Sequence, residues 1–263
     1  MAESSLSVGY PELIGETGNF LGYGYKAYAS YAAGQQSELN RLVQSGVRRV
    51  YYPTALDAER FAGYEWSWLR PTKTLEIAAS DGDYDLPDDF GRLIGEINYP
   101  AAAYLPPIAI IAVNRLLAMR ASSDLSGDPM YAATRYKASD GTNGQRQEIL
   151  FYPEPDTART LSYEYEAYSG ALSASNPYPL GGMQLAELYI ESCLSVAESR
   201  IEDSPGTHTE QFKALLVDAI TRDQKRGPRR FGQMGQPQDC EDSSFRRGIT
   251  GTTYPITYKG VSI

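Results

Sequence analysis

One histidine, His208, and two cysteines, Cys193 and Cys240, are all that this 263-residue chain holds of the side chains that most often ligate zinc or pair as nucleophile and base. A structural zinc site takes four such ligands and a catalytic one three, so cysteines this far apart with a single histidine supply no usual zinc set. The same scarcity leaves no Ser–His–Asp constellation to build. His208 falls in the first turn of a predicted helix, where an exposed polar residue is ordinary. No Gly-x-Ser-x-Gly elbow and no phosphate-binding P-loop occurs. The run Gly22-Tyr23-Gly24-Tyr25-Lys26-Ala27 meets a relaxed dinucleotide fingerprint, but no strand precedes it and no βαβ unit surrounds it; a flexible, aromatic N-terminal segment is expected there. Asp81, Asp83 and Asp85 begin like a calcium loop. Leu86 then stands where that loop needs glycine and Arg92 where it needs glutamate, so a hairpin turn is expected instead. Paired carboxylates of the glycosidase type can lie far apart in sequence, and nothing singles out a pair. No catalytic residue, cofactor site or metal site is therefore expected.

Chemistry of another kind gathers at the C-terminus. From Gln224 onward seven cations (Lys225, Arg226, Arg229, Arg230, Arg246, Arg247 and Lys259) face three acids (Asp239, Glu241 and Asp242), a local charge of +4 in a chain of −9 that leaves −13 for the body. An acidic body argues against general nucleic-acid binding, which needs phosphates neutralised by Lys and Arg. A basic tail on an acidic body suits contact with an acidic neighbour. The segment from Gly227 is rich in Gly, Pro and Ser and too polar to fold alone, yet it ends in a strand-like run, Thr252 to Tyr258. Such a tail is either disordered or laid along another subunit, gaining order from that contact, and the β-forming aromatic end favours the second. The residues expected to make subunit or partner contacts are Lys225, Arg226, Arg229, Arg230, Arg246, Arg247, Tyr254, Ile256 and Tyr258.

The elements that must carry this tail are read from hydrophobic period. A short helix is predicted near Glu12–Leu21. Leu39, Leu42, Val43, Val47 and Val50 mark a helix that Pro53 ends. A second is predicted from Asp57, as N-cap, to Leu69. The period then changes to strands: Thr72–Ala79, Tyr84–Pro87, Leu93–Tyr99, Met130–Ala138, Arg146–Tyr152 and Arg159–Tyr168, with a strand start and helix inside Ile108–Met119. After Pro179 helices return. Gln184–Asp203 carries two apolar stripes, one ending at Ile201, as a central bundle helix would. Thr207 and Glu210 fit a capping box for a last helix to Arg226. The expected fold class is α+β: a helical bundle (34–70 and 180–226) with an inserted antiparallel β-domain (71–179), a Gly/Tyr-rich N-terminal segment (1–33) and an extended C-terminal tail (227–263).

Composition agrees with one or two domains; 42% hydrophobic and 22% charged residues are ordinary for a soluble protein. Tyrosine is the outlier, 21 against 7 Phe and 2 Trp. Tyr suits surfaces that are wet in one state and covered in another, and equally a Tyr-rich β-domain. No signal peptide, glycosylation sequon or apolar run of about 18 residues is present, so a cytosolic origin, free thiols and no membrane contact are expected.

Four runs in order carry a resemblance: Tyr84-Asp85-Leu86-Pro87-Asp88-Asp89-Phe90, Gly127 to Ala132, Ile149-Leu150-Phe151-Tyr152-Pro153-Glu154-Pro155 and Leu161-Ser162-Tyr163-Glu164-Tyr165. With the helix Leu185–Glu202, and Glu198 before the turn Pro205-Gly206-Thr207-His208, they resemble the head-to-tail adaptor (connector) proteins of tailed bacteriophages over about residues 34–226. The resemblance implies a non-enzymatic virion protein. It implies a twelve-subunit ring at the neck, beneath the portal protein and above a tail or nozzle protein, with genomic DNA passing without sequence-specific binding. The alternatives are another neck or tail component or, from a different class, a carbohydrate-binding or glycan-processing protein that stacks sugars on Tyr and Trp.

Overall fold

The computed structural model describes residues 4–54, 57, 61, 63–139, 141–142, 144–201, 205–226, 257–258 and 261–262. Among these, five α-helices and nine strands make an α+β protein. Two compact units arise, one from segments within 1–71 and 167–229, the other containing Thr72–Glu166.

The first unit is helical. Its helices are α1 (Tyr10–Phe20), α2 (Ala33–Tyr51), α4 (Ala186–Ile201) and α5 (Thr207–Arg226). Glu12 starts α1 by accepting the Gly9 N–H at 2.9 Å, and Gln35 starts α2 by accepting the Ala32 N–H at 3.1 Å; each satisfies a donor that a helix end leaves free. The predicted stripe Leu39, Leu42, Val43, Val47 and Val50 is buried on α2. It packs on α4, which also meets α1 and α5 and so holds the centre. Gly46 permits the α2–α4 crossing, since a Cβ there would lie 2.8 Å from Cys193 Cα. The Ser192 hydroxyl donates to Gly46 O at 2.8 Å across the same contact. Ile201, expected on the second buried stripe of α4, is instead 55% exposed as the last residue of the helix.

Three further expectations in this unit are corrected. The segment after α2 is not a helix to Leu69. Gly63 adopts φ 70°, Phe61 is in 3-10 conformation and Ser67–Leu69 forms a single 3-10 turn; residues 55–56, 58–60 and 62 lie outside the described residues. The Asp57 carboxylate is engaged by Arg49 and by the Thr54 hydroxyl at 2.9 Å, and Trp66 enters the core with its Nε1–H on Val50 O at 2.8 Å. The Thr207–Glu210 capping box does not form. Glu198 of α4 reaches over the turn and accepts the N–H groups of Gly206 (3.1 Å), His208 (3.3 Å) and Thr209 (3.1 Å), while Glu210 turns to Lys213. The run Gly22–Ala27 is folded onto α1: Gly22 and Gly24 turn at φ 79° and 77°, and the rings of Tyr25 and Tyr31 fill the space that Gly15 and Gly18 leave open.

The second unit carries the strands β1 (Thr72–Ile77), β2 (Asp83–Asp85), β3 (Phe90–Asn98), β4 (Ala109–Ile110), β5 (Tyr131–Tyr136), β6 (Gln147–Tyr152) and β7 (Arg159–Ala167), with α3 (Val113–Ser122) between β4 and β5. One sheet has the order β1-β7-β3, the other β2-β6-β5-β4. The alternation predicted for β7 is seen directly: Leu161, Tyr163, Tyr165 and Ala167 are buried and their neighbours less so. The hairpin expected at Ser80–Asp83 is corrected. That turn reverses no hairpin, since β1 pairs with β7 and β2 with β6, so it passes the chain from one sheet to the other. The β1–β7, β2–β6 and β5–β6 pairs are antiparallel, and β4 and β5 run parallel. Helix α3 covers β5 and β6 through Leu116, packed with Ala133, Leu150 and Tyr152. In the tail, β8 (Thr257–Tyr258) pairs antiparallel with β9 (Val261–Ser262).

Candidate interaction surfaces

The side chains of chemical promise in the helical unit are spent inside it. His208 Nδ1 lies 2.8 Å from Glu191 Oε2, and Phe20 meets the imidazole edge-on. Cys193 is buried with its thiol facing Val43 O, and burial pushes the thiol up to about 12, which keeps it protonated and inert at neutral pH. Burial alone would raise the Glu198 carboxyl, but the hydrogen bonds from Thr209, His208 and Gly206 prevail and hold it below the usual carboxylate range. Arg49 links three elements: it binds Asp57, donates to Ser195 Oγ at 2.7 Å and stacks over the Phe212 ring at 4.6 Å. Asp223 of α5 fixes the segment after Gly63, accepting from Tyr64 Oη (2.9 Å), Ser67 N (2.9 Å) and Ser67 Oγ (2.5 Å). These are joints between helices, each polar group matched by a partner as burial requires.

The calcium-like acids of the β unit are joints too. Asp83 pairs with Arg120 at 2.7 Å and Asp85 with Lys137 at 2.5 Å, while Arg120 also donates to Gly82 O and Phe151 O. Asp83 and Arg120 line a cleft of about 360 Å³ with Asp81, Asp124 and Glu154. Among the described residues, no three of His, Cys, Asp and Glu gather as a metal-binding group, and no helix is long and apolar enough to cross a membrane.

Tyr10, Tyr165 and Tyr189 are buried and Tyr64 and Tyr99 half-buried, and each places its hydroxyl on a protein acceptor. Burial pushes Tyr10 up to about 12 and Tyr163 likewise to about 12, so both stay neutral. Others are displayed: Tyr25, Tyr104, Tyr136, Tyr168 and Tyr178 are exposed.

The predicted contact residues are only partly in view. Lys225 is exposed at the end of α5, and Arg226 is its last residue. Tyr258 lies in β8. Arg229, Arg230, Arg246, Arg247, Tyr254 and Ile256, like Cys240, lie outside the described residues. Among the described residues, Lys225 and Arg226 are neighbours at the end of α5.

One surface went unread in the sequence. Between β3 and β4 the loop Asn98–Pro107 is closed at its base by the bridge Ile97–Ile108, with Ile108 N donating to Ile97 O at 2.8 Å. Tyr99 anchors it through a 2.8 Å hydrogen bond to Pro129 O. Ala101–Ala103 form a 3-10 turn, and Tyr104 follows in the left-handed region (φ 52°, ψ 30°) with 94% of its surface exposed. Three prolines, Pro100, Pro106 and Pro107, stiffen the loop. They were the signal that could have found it, since they forbid both helix and central strand.

No curated protein matches the chain. The family described as SU10 adaptor protein matches residues 10–235, which takes in the whole helical unit from Tyr10 to Arg226 and every strand from β1 to β7. The order of those elements and the extent of that match place the chain in the SU10 adaptor protein family, the structural adaptors of the bacteriophage head-to-tail junction.

Proposed function

We propose that the protein is one subunit of a ring, twelve copies round, that sits beneath the portal at the virion neck, joins it to the tail and leaves a passage for DNA. Family membership supports the adaptor role and the structural, non-enzymatic character that goes with it. The observation that carries the finer reading is the split of charge: +4 from Gln224 onward against −13 before it. A ring of identical subunits is a head-to-tail contact closed by rotation, and a basic arm reaching an acidic neighbour is one way to fasten it. An acidic body also suits a conduit, because a basic channel would hold the phosphates.

In this reading residues 34–70 and 180–226 are the bundle, 71–179 is an inserted β-domain and 227–263 is the arm. Lys225, Arg226, Arg229, Arg230, Arg246 and Arg247 meet acidic side chains of a sister subunit or the portal, and Tyr254, Ile256 and Tyr258 add backbone pairing and apolar contact. The sugar-binding alternative loses its tryptophans: Trp66 is 1% exposed, and Trp68 packs against the helical core.

The test is truncation after Arg226. Circular dichroism melting should show the body still folded, because a segment without its own core contributes little to the rest. Portal binding should weaken, and the full-length protein should bind less tightly as salt rises, since exposed ion pairs are screened beyond about 8–10 Å at 0.1–0.15 M. Equal portal binding by truncated and full-length protein would remove the arm from the account.

A further inference from the structure

A strand at the edge of a sheet leaves every second N–H and C=O without a ladder partner, and folded proteins shorten, bend or cover such edges. Among the described residues, the two sheets of the β unit end on β1, β3, β2 and β4. Strands β2 (Asp83–Asp85) and β4 (Ala109–Ile110) are cut short. Strand β3 gives the carbonyls of Phe90 and Gly91 to the Gln147 side chain, turns at Gly95 (φ 71°) and meets Ile108 at Ile97. Strand β1 is treated otherwise. It runs for six residues, pairs with β7 alone among the described strands, and leaves Thr72, Lys73, Thr74 and Glu76 exposed. Lys73 is the one usual deterrent on it.

The same chain holds a strand in the opposite predicament. β8 (Thr257–Tyr258) and β9 (Val261–Ser262) make a sheet of their own, hydrogen-bonded to neither larger one. A hairpin alone is marginally stable in water at best, and a third strand is what stabilises it. β9 takes one edge of β8, so the other edge is the one left to pair. An open edge without a strand and a hairpin without a third strand answer each other. Within one copy the two are not joined, which leaves the pairing to another copy. Residues 227–256, between α5 and β8, can span up to about 100 Å when extended, enough to reach a neighbouring subunit. Charge agrees with the match. β8 is uncharged and Lys259 follows it, while Glu76 on β1 and Glu164 opposite Thr72 offer counter-charge.

We infer that β8 of one copy adds to the open edge of β1 in another, extending the sheet β1-β7-β3 across subunits. This rests on the assembly reading above and names the surface that receives the arm. The test uses the full-length protein with its portal, carrying Cys240→Ser throughout, since Cys193 is buried. One preparation bears Thr74→Cys and a second, with a different tag, Thr257→Cys. Mixed, assembled and treated with a bis-maleimide, they should give crosslinked pairs that carry both tags. Glu96→Cys, exposed on β3, should give few in place of Thr74→Cys. Thr257→Pro and Tyr258→Pro between them remove the N–H on either side of β8. The one that faces β1 should leave the melting temperature unchanged and raise the concentration needed for assembly by about tenfold, the order of effect of a lost backbone hydrogen bond or two. Pairs no more frequent with Thr74→Cys than with Glu96→Cys, or normal assembly by both proline variants, would overturn the inference and leave the assembly reading standing. A parent protein that forms no multimer with or without its portal would overturn both.

Discussion

The two units of this chain use their polar and apolar residues in opposite ways. In the helical unit the polar groups of His208, Cys193, Glu198 and Asp223 meet partners within the unit. In the β unit an uncharged loop with nothing reactive in it is turned outward, Tyr104 at its tip. Residues with catalytic reputations can thus serve as joints of a fold, while the exposed loop of the other unit is built from Pro, Ala, Leu and Tyr.

If the helical unit is the rigid half, removing its joints should be costly. Phe212→Ala should destabilise by about 3–5 kcal/mol, losing a fully buried ring together with the surface on which Arg49 stacks. Denaturant unfolding would read it, and a loss below about 1 kcal/mol would mean that α5 is not locked to its neighbours. Asp223→Ala should cost about 2–3 kcal/mol, since Ser67 N, Ser67 Oγ and Tyr64 Oη would lose a charged acceptor.

The Glu198 cap sharpens the comparison through pH. Its folded carboxyl is held below the value of about 4.3 that an unfolded glutamate shows, so its contribution is complete above that pH and lost as pH falls through the folded value. Glu198→Gln should lower stability by about 1 kcal/mol at pH 7, with the gap to the parent shrinking at low pH. A gap that holds constant from pH 7 to pH 3 would show that ionisation of Glu198 contributes nothing. The smallest effect belongs to the other unit. Tyr104→Gly should shift stability by no more than about 1 kcal/mol in either direction, relieved strain offsetting the freer unfolded chain. A large loss would show the ring to be packed within its own unit.

The helical period made α2, α4 and α5 legible to within a few residues, because Leu39 to Val50 and Leu188 to Val196 face a real core. The alternation at β7 was legible for the same reason in two-residue form. What escaped were interactions between distant positions. The aromatics Phe61, Trp66 and Trp68 are apolar in helix or extended chain alike, so a helix was expected where Asp57 and Asp223 instead pin an irregular segment. A turn signal at Ser80–Gly82 says that the chain reverses, not which strand it then joins. The Glu198 cap hid because its partners lie across the interhelical turn, where a local Thr–Glu pair offered a nearer answer. The loop at Tyr104 hid because an uncharged apolar run reads as core, and only backbone geometry shows it to be exposed. The contact residues Lys225 to Tyr258 were chosen on charge and β-propensity, which name the kind of contact but not its geometry.

The central claim is that this chain works by assembling. The most direct measurement is a set of two-dimensional class averages of the purified protein mixed with its portal, imaged in negative stain. The account predicts annular particles with a central hole and added density on one face of the portal, with twelvefold repetition in end views. Portal particles unchanged by the addition, among small separate particles of the size of a 29.0 kDa chain, would contradict it.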